Sequence, residues 1–191
     1  MKENNKLKIL VVVDMQNDFV TGVLGTPEAR AIVPKIAALP ENYDWTFYTR
    51  DTHDRLFCWE DHPESLAGIP LHCEVGTKGW ELIDALKSVK NMYANSSYID
   101  KRDFGYRKWE YHISTLLSFF SDEMYVKYEN MTQIDVCGVC TDMCVVTNAL
   151  GLKNLYPRSK IRVLSDCCAG STPEMHQKAL DVMRKCLIEV V

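Results

Sequence analysis

The segment Lys8-Ile9-Leu10-Val11-Val12-Val13 is apolar and mostly β-branched after its first residue, and it stops abruptly at Asp14. A run without polar alternation makes a strand whose two faces must both be covered. A parallel sheet sandwiched between helices satisfies that demand, and the rest of the chain repeats the matching rhythm of strand then helix. Thr26-Pro27-Glu28 reads as a helix start, with a threonine cap, proline at the first helical position and an acid in the first turn. That helix runs to about Leu39, before Pro40. Residues 45–49 read as a second strand, 80–87 as a short helix, and a third strand lies within 93–99. An amphipathic helix over 108–120 leads to a fourth strand at 133–139 and a helix from about 143 to 155. Residues 161–164 form a fifth strand, Thr172-Pro173-Glu174 caps a helix ending near Cys186, and 187–191 supply a sixth strand. The pattern predicts an α/β fold: one domain over residues 1–191, with a six-stranded parallel sheet in a three-layer α/β/α arrangement.

Composition narrows the function classes. The chain has 191 residues, 47% hydrophobic and 25% charged, as in ordinary globular domains. A net charge of −4 with interleaved signs offers no basic footprint for nucleic acid. No apolar run reaches the ~18 residues that a membrane span needs. The polar start Met1-Lys2-Glu3-Asn4-Asn5-Lys6 has no signal-peptide core, so a cytoplasmic protein is expected. Eight cysteines in such a chain are expected to be reduced, and Cys137, Cys167, Cys168 and Cys186 fall in or beside apolar segments as core residues do.

Position then singles out chemistry. In the Rossmann-like strand order 3-2-1-4-5-6, strands 1 and 4 are neighbours and ligands bind at their carboxyl ends. Asp14 follows strand 1, Asp51 and His53 follow strand 2, Lys101 follows strand 3, and the Cys140 to Cys144 turn follows strand 4. A thiol at a strand-to-helix turn meets backbone N–H groups and a helix dipole that favour the thiolate. Asp51-Thr52-His53 directs a carboxylate and an imidazole the same way from extended backbone, and Glu64 and His72 lie on the same long loop, residues 50–78. Such a donor set suits zinc, manganese or iron. On residue type alone Lys101 reads as solvated surface, as do His62 and His112, while His176 reads as structural or capping. Asp18 suits a turn or cap better than Asp14 does.

Cys137-Gly138-Val139-Cys140 is also a C-x-x-C, which in an α/β protein can mark a dithiol redox site or half of a thiolate zinc site. Two points weigh against it. Cys137 falls inside strand 4, and no second C-x-x-C completes a four-thiolate site.

Taken in order, five motifs resemble those of the isochorismatase-like cysteine hydrolases, and most of all their nicotinamidase branch. They are Val13-Asp14-Met15-Gln16-Asn17-Asp18-Phe19, Thr49-Arg50-Asp51-Thr52-His53, Leu71-His72-Cys73 with Gly76-Thr77-Lys78-Gly79, Lys101, and Gly138-Val139-Cys140-Thr141-Asp142-Met143-Cys144-Val145. The resemblance implies an Asp14–Lys101–Cys144 triad, a cis peptide at Val139-Cys140, and a divalent metal on Asp51, His53 and His72 with Glu64 as a further acid. Zinc leads, with iron or manganese as alternatives. It further implies hydrolysis of nicotinamide through a Cys144 thioester, with the Cys140 and Cys144 N–H groups as oxyanion donors; Phe19 and Phe104 are candidates to pack on the substrate ring, with ordinary core as their alternative reading. A small-molecule amide is the expected partner, in a homo-oligomer. Other small-amide hydrolysis (an N-carbamoyl compound or a ureide) and a non-hydrolytic dithiol or binding module are the alternatives. The chain departs from the family pattern at Arg102-Asp103-Phe104-Gly105-Tyr106 and in the longer segments 57–65 and 121–132.

Overall fold

The computed structural model describes residues 7–55, 59–87, 95–120 and 132–191. Residues 93–94 of the third-strand window, 57–58 of the first long segment and 121–131 of the second lie outside them. Strand β1 (Leu7–Val13) leads into a one-turn helix α1 (Asn17–Val20) and then α2 (Pro27–Ala37). Strand β2 (Trp45–Asp51) is followed by the short helices α3 (Pro63–Leu66) and α4 (Asp84–Lys87). Strand β3 (Ser96–Lys101), helix α5 (Trp109–Phe120) and strand β4 (Thr132–Val139) come next. A π-helical turn (Thr141–Val145) then opens helix α6 (Val146–Leu155). Strand β5 (Lys160–Ala169), helix α7 (Pro173–Lys185) and strand β6 (Glu189–Val190) complete the chain.

All six strands form one parallel sheet in the order β3-β2-β1-β4-β5-β6, the expected three-layer α/β/α architecture. Ile9 through Val13 are each fully buried, so helices cover both faces of β1 as its unbroken apolar run requires. The caps read from sequence are present: Thr26 accepts from Ala29 N on α2, and Thr172 accepts from Met175 N on α7.

Several boundaries differ from expectation. The segment at 80–87 is helical only over α4, because Gln16 Nε2 and the Asn17 side chain take the Trp80 and Glu81 carbonyls for the end of β1. Strands β2 and β3 run on to Asp51 and Lys101, with those two residues paired, so both belong to strand ends rather than to the loops beyond. Strand β5 continues five residues past Leu164. Its register against β4 shifts between Val136 and Gly138, so Cys168 and Ala169 pair with Gly138 and Val139. Strand β6 shrinks to two residues, while Ser165 N and Oγ both donate to Val191 O beyond it.

Gly138 has a φ of 117°, and a Cβ there would sit 2.1 Å from Val13 O. Only glycine lets β4 approach β1 this closely, at the level where Asp14 leaves the sheet.

Candidate active site

Asp14 adopts a φ of 50°, a left-handed conformation that aspartate tolerates better than most residues. Its amide donates to Thr49 O and Thr49 Oγ1, both at 3.2 Å, and Thr49 Oγ1 donates to Asp14 Oδ1 at 2.7 Å. Thr49 thus holds the carboxylate from the neighbouring strand. Alternation along β2 places Thr49 on the same side as Asp51, a signal that could have revealed it. Gln16 does comparable work: its Oε1 accepts from Asp51 N at 2.7 Å and its Nε2 donates to Asp51 O at 2.9 Å.

Lys101 is not the surface lysine that residue type suggested. It is 3% exposed, with Nζ 2.7 Å from Asp14 Oδ2, 3.5 Å from Cys144 Sγ, 3.5 Å from Asp51 Oδ1 and 3.1 Å from the Asp103 carbonyl. Burial works to strip its proton, but Asp14, Cys144 and Asp51 together outweigh that and hold its pKa well above the usual lysine value. Burial pushes the Asp14 carboxyl up and Lys101 pulls it partly back. Burial likewise drives the Cys144 thiol well above an ordinary cysteine, with Lys101 opposing and a hydrogen bond to Asp14 adding to the rise. Burial thus favours the uncharged form of both Cys144 and Asp14, and the Lys101 ammonium opposes it at each.

Cys144 sits in the π-helical turn. The Val139-Cys140 peptide is cis, and Cys140 O accepts from Met143 N at 3.1 Å and Val145 N at 3.0 Å, which closes the turn. Asn148 Nδ2 donates to Cys144 O at 2.8 Å and its Oδ1 takes Tyr106 N and Trp109 Nε1, tying the turn to α5. Cys137 is fully buried within β4, and the seven cysteines among the described residues are free. Burial pushes the half-buried Cys140 thiol up to about 12. These features disfavour the C-x-x-C reading.

Asp51, His53, Glu64 and His72 are all buried, and one donor atom from each lies within 4.8 Å of all the others. Asp51 Oδ2 is 3.1 Å from His53 Nε2 and 3.2 Å from His72 Nε2, while Glu64 Oε2 is 3.6 and 3.5 Å from the same nitrogens. His72 Nδ1 lies 2.9 Å from the Pro70 carbonyl, which only accepts, so in a neutral ring Nε2 presents a lone pair to two acidic oxygens. Glu64 Oε2 is buried without a hydrogen-bond donor among the described residues. Acceptors turned inward on one another make a cradle for a cation, and separations of ~3.0–3.4 Å are those of donors ~2.1 Å from a common centre. The four residues fit a divalent metal. Burial opposes ionisation of Asp51, yet His53, His72 and Lys101 hold it below the usual carboxylate range. Burial and then Asp51 push Glu64 up. Burial works against charge on His72, but Asp51 and Pro70 raise it.

Three other sequence expectations change here. His62 is half-buried: it stacks on Trp59 at 5.3 Å, its Nδ1 accepts from Glu64 N, and its ring lies 5.0 Å from that of His53. His112 is no surface histidine either, since its Nε2 is 2.8 Å from the Tyr106 hydroxyl and its ring meets Phe47. Asp18 caps nothing within α1. It accepts instead from Cys73 N at 2.8 Å, beside His72, and so helps fix a metal-site loop. Phe19 is buried with its ring edge-on to His72 at 5.2 Å, whereas Phe104 is exposed and contributes its carbonyl to Asn148. Arg102, Asp103, Gly105 and Tyr106 of the variant segment line an open groove of about 370 Å³ with Arg107 and Lys108.

Comparison with known proteins bears on the fold and the family. The nicotinamidase/pyrazinamidase of Mycobacterium tuberculosis is 28% identical, covering 97% of this chain and 98% of that protein. The structure of pyrazinamidase/nicotinamidase from Streptococcus mutans superposes with a TM-score of 0.77 at 28% identity, covering 96% of this chain and 99% of that one. The pyrazinamidase of Pyrococcus horikoshii, solved in complex with zinc, gives a TM-score of 0.73 at 25% identity over 96% of this chain and 98% of that one. Residues 8–191 match the isochorismatase domain, nearly the whole of what the sheet and its loops comprise, and the chain belongs to that family.

Proposed function

We propose that the protein is a nicotinamidase-type cysteine amidohydrolase that converts nicotinamide to nicotinate and ammonia, within NAD salvage. The observation that carries this reading is the buried Asp14–Lys101–Cys144 cluster, spanned by contacts of 2.7 and 3.5 Å at the carboxyl edge of the sheet. Asp14 takes the Cys144 proton as the sulfur attacks the carboxamide carbon, and Lys101 stabilises the charge-separated state. The Cys140 and Cys144 N–H groups are the candidate donors to the oxyanion, and losing one such donor costs ~3 kcal/mol of barrier. Asp14 then gives its proton to the departing ammonia, leaving a thioester. It next draws a proton from water, which attacks the thioester carbon; the C–S bond breaks and Cys144 recovers its proton. Asp51, His53, Glu64 and His72 would hold a divalent metal, zinc first, and the chemistry it would supply there is that of a Lewis acid orienting the substrate ring. Phe19 flanks that site.

Ammonia release from nicotinamide by the metal-loaded protein tests the reading. Cys144→Ala is expected to lower kcat on the order of 10⁴-fold or more while leaving the thermal melt unchanged. Turnover retained in that variant, or a wild type active only on N-carbamoyl compounds, would overturn it.

A further inference from the structure

The turn that carries Cys144 is also held from outside, by contacts that the reaction scheme does not use. Thr141 opens the turn and is fully buried, and its Oγ1 lies 2.8 Å from Nδ1 of His176 on α7. One residue on, Asp142 accepts from Ser171 N at 2.8 Å and from Ser171 Oγ at 2.6 Å. Gly170 makes this docking possible: a Cβ there would lie 2.8 Å from His176 Cβ and N, and 2.9 Å from Asp142 Oδ1. The β5–α7 junction thus clasps the two residues next after Cys140 in the turn leading to Cys144. The Asp142 contacts are exposed and exchange readily with water. The Thr141 hydroxyl is enclosed, so losing its partner leaves a buried polar group unsatisfied, which is costly.

We propose that His176 is a positioning residue for the amidase reaction: acting through Thr141, it fixes the turn between Cys140 and Cys144 and so aims the nucleophile and the flanking amides. The inference rests on the reading of Cys144 as nucleophile. His176 belongs to a different element from every group in the triad and the metal set, and it touches neither. Its loss should leave ground-state binding of the ring intact while the attack geometry loosens, an effect on kcat rather than KM.

Steady-state ammonia release from nicotinamide is compared for metal-loaded wild type, Cys144→Ala, His176→Ala, His176→Asn, Thr141→Val and the double variant His176→Ala/Thr141→Val. An asparagine amide occupies the position of Nδ1 and can restore the bond. His176→Ala and Thr141→Val are each expected to lower kcat about tenfold with KM within about twofold, from the loss of one buried hydrogen bond. The double variant should be no slower than the slower single, and His176→Asn should regain most of the loss. Wild-type kcat in His176→Ala, multiplied losses in the double variant, or a change confined to KM overturns the proposal. Should His176→Ala fail to fold, Thr141→Val and His176→Asn carry the same comparison. An active Cys144→Ala removes the nucleophile assignment itself, whereas an inactive Cys144→Ala beside an unimpaired His176→Ala removes only the role of His176.

Discussion

Lys101 joins two buried charge clusters. Its ammonium is shared between Asp14 of the proposed triad and Asp51 of the candidate metal set, so a buried cation answers a carboxylate on either side. Residue type could not reveal this, because a lysine in Asp100-Lys101-Arg102-Asp103 has the local sequence of a solvated loop; only the family motifs singled it out. Glu64 has the opposite problem, an acid buried beside Asp51 with no donor for Oε2 among the described residues. Glu64→Gln is therefore expected to act with opposite signs in the two states of the site. With metal chelated, removing a carboxylate from beside Asp51 should raise the thermal midpoint by a few degrees, about 1 kcal/mol of relieved repulsion. In chelator competition the same change should weaken metal affinity at least about tenfold. A chelated variant that melts below chelated wild type would show that Glu64 is not under that strain.

At the level of elements, strands and capped helices were legible because their signals are local. Period, cap residue and proline position all act within a few residues of one another. The extension of β5 through Ser165 and Asp166 was not, since polar residues break its apolar run and a register shift absorbs the excess. Nor was the π-helical start of α6, where Cys140 O takes two amides at once. The β1–β4 contact that brings Asp14 to face Cys144 depends on Gly138, whose sequence signal is a lone glycine in a strand. Gly138→Ala puts a methyl group 2.1 Å from Val13 O and a side chain at a φ of 117°. Because backbone rather than a flexible side chain is in the way, a loss of roughly 3 kcal/mol is expected in urea unfolding. An unchanged midpoint would mean that the two strands can part without cost.

Across the whole molecule, topology brought Asp14 and the Cys144 turn to one edge of the sheet, while the candidate metal loop had to be placed by tertiary contacts that carry no period. Asp18 on the Cys73 amide, Asn17 on the Lys78 and Glu81 carbonyls, and Gln16 on the Trp80 carbonyl pin residues 73–81 to the end of β1. These are polar bonds across more than fifty residues, invisible to a local reading. A second polar centre lies in the sheet upstream of the site. Asp135, fully buried on β4, receives Arg162 Nε at 2.7 Å, Arg162 Nη2, the Tyr43 hydroxyl at 2.5 Å and Gln133 Nε2 at 3.1 Å. Burial and then the Asp135 bond push the Tyr43 hydroxyl above its usual range, so it stays protonated and donates. Four residues separate Asp135 from the end of β4, ~13 Å of extended chain, so this network supports the sheet without touching the chemistry. Asp135→Asn keeps the shape but removes the charge facing Arg162. Arg162 is partly exposed, and water offsets part of its loss, so the expected cost is about 2 kcal/mol rather than that of a fully enclosed pair. Urea unfolding should register that loss while kcat and KM for nicotinamide at 25 °C hold within about twofold. A fall in kcat without a fall in stability would instead tie the middle of β4 to the aim of Cys144, and the sheet could no longer be treated as a rigid platform for its own edge.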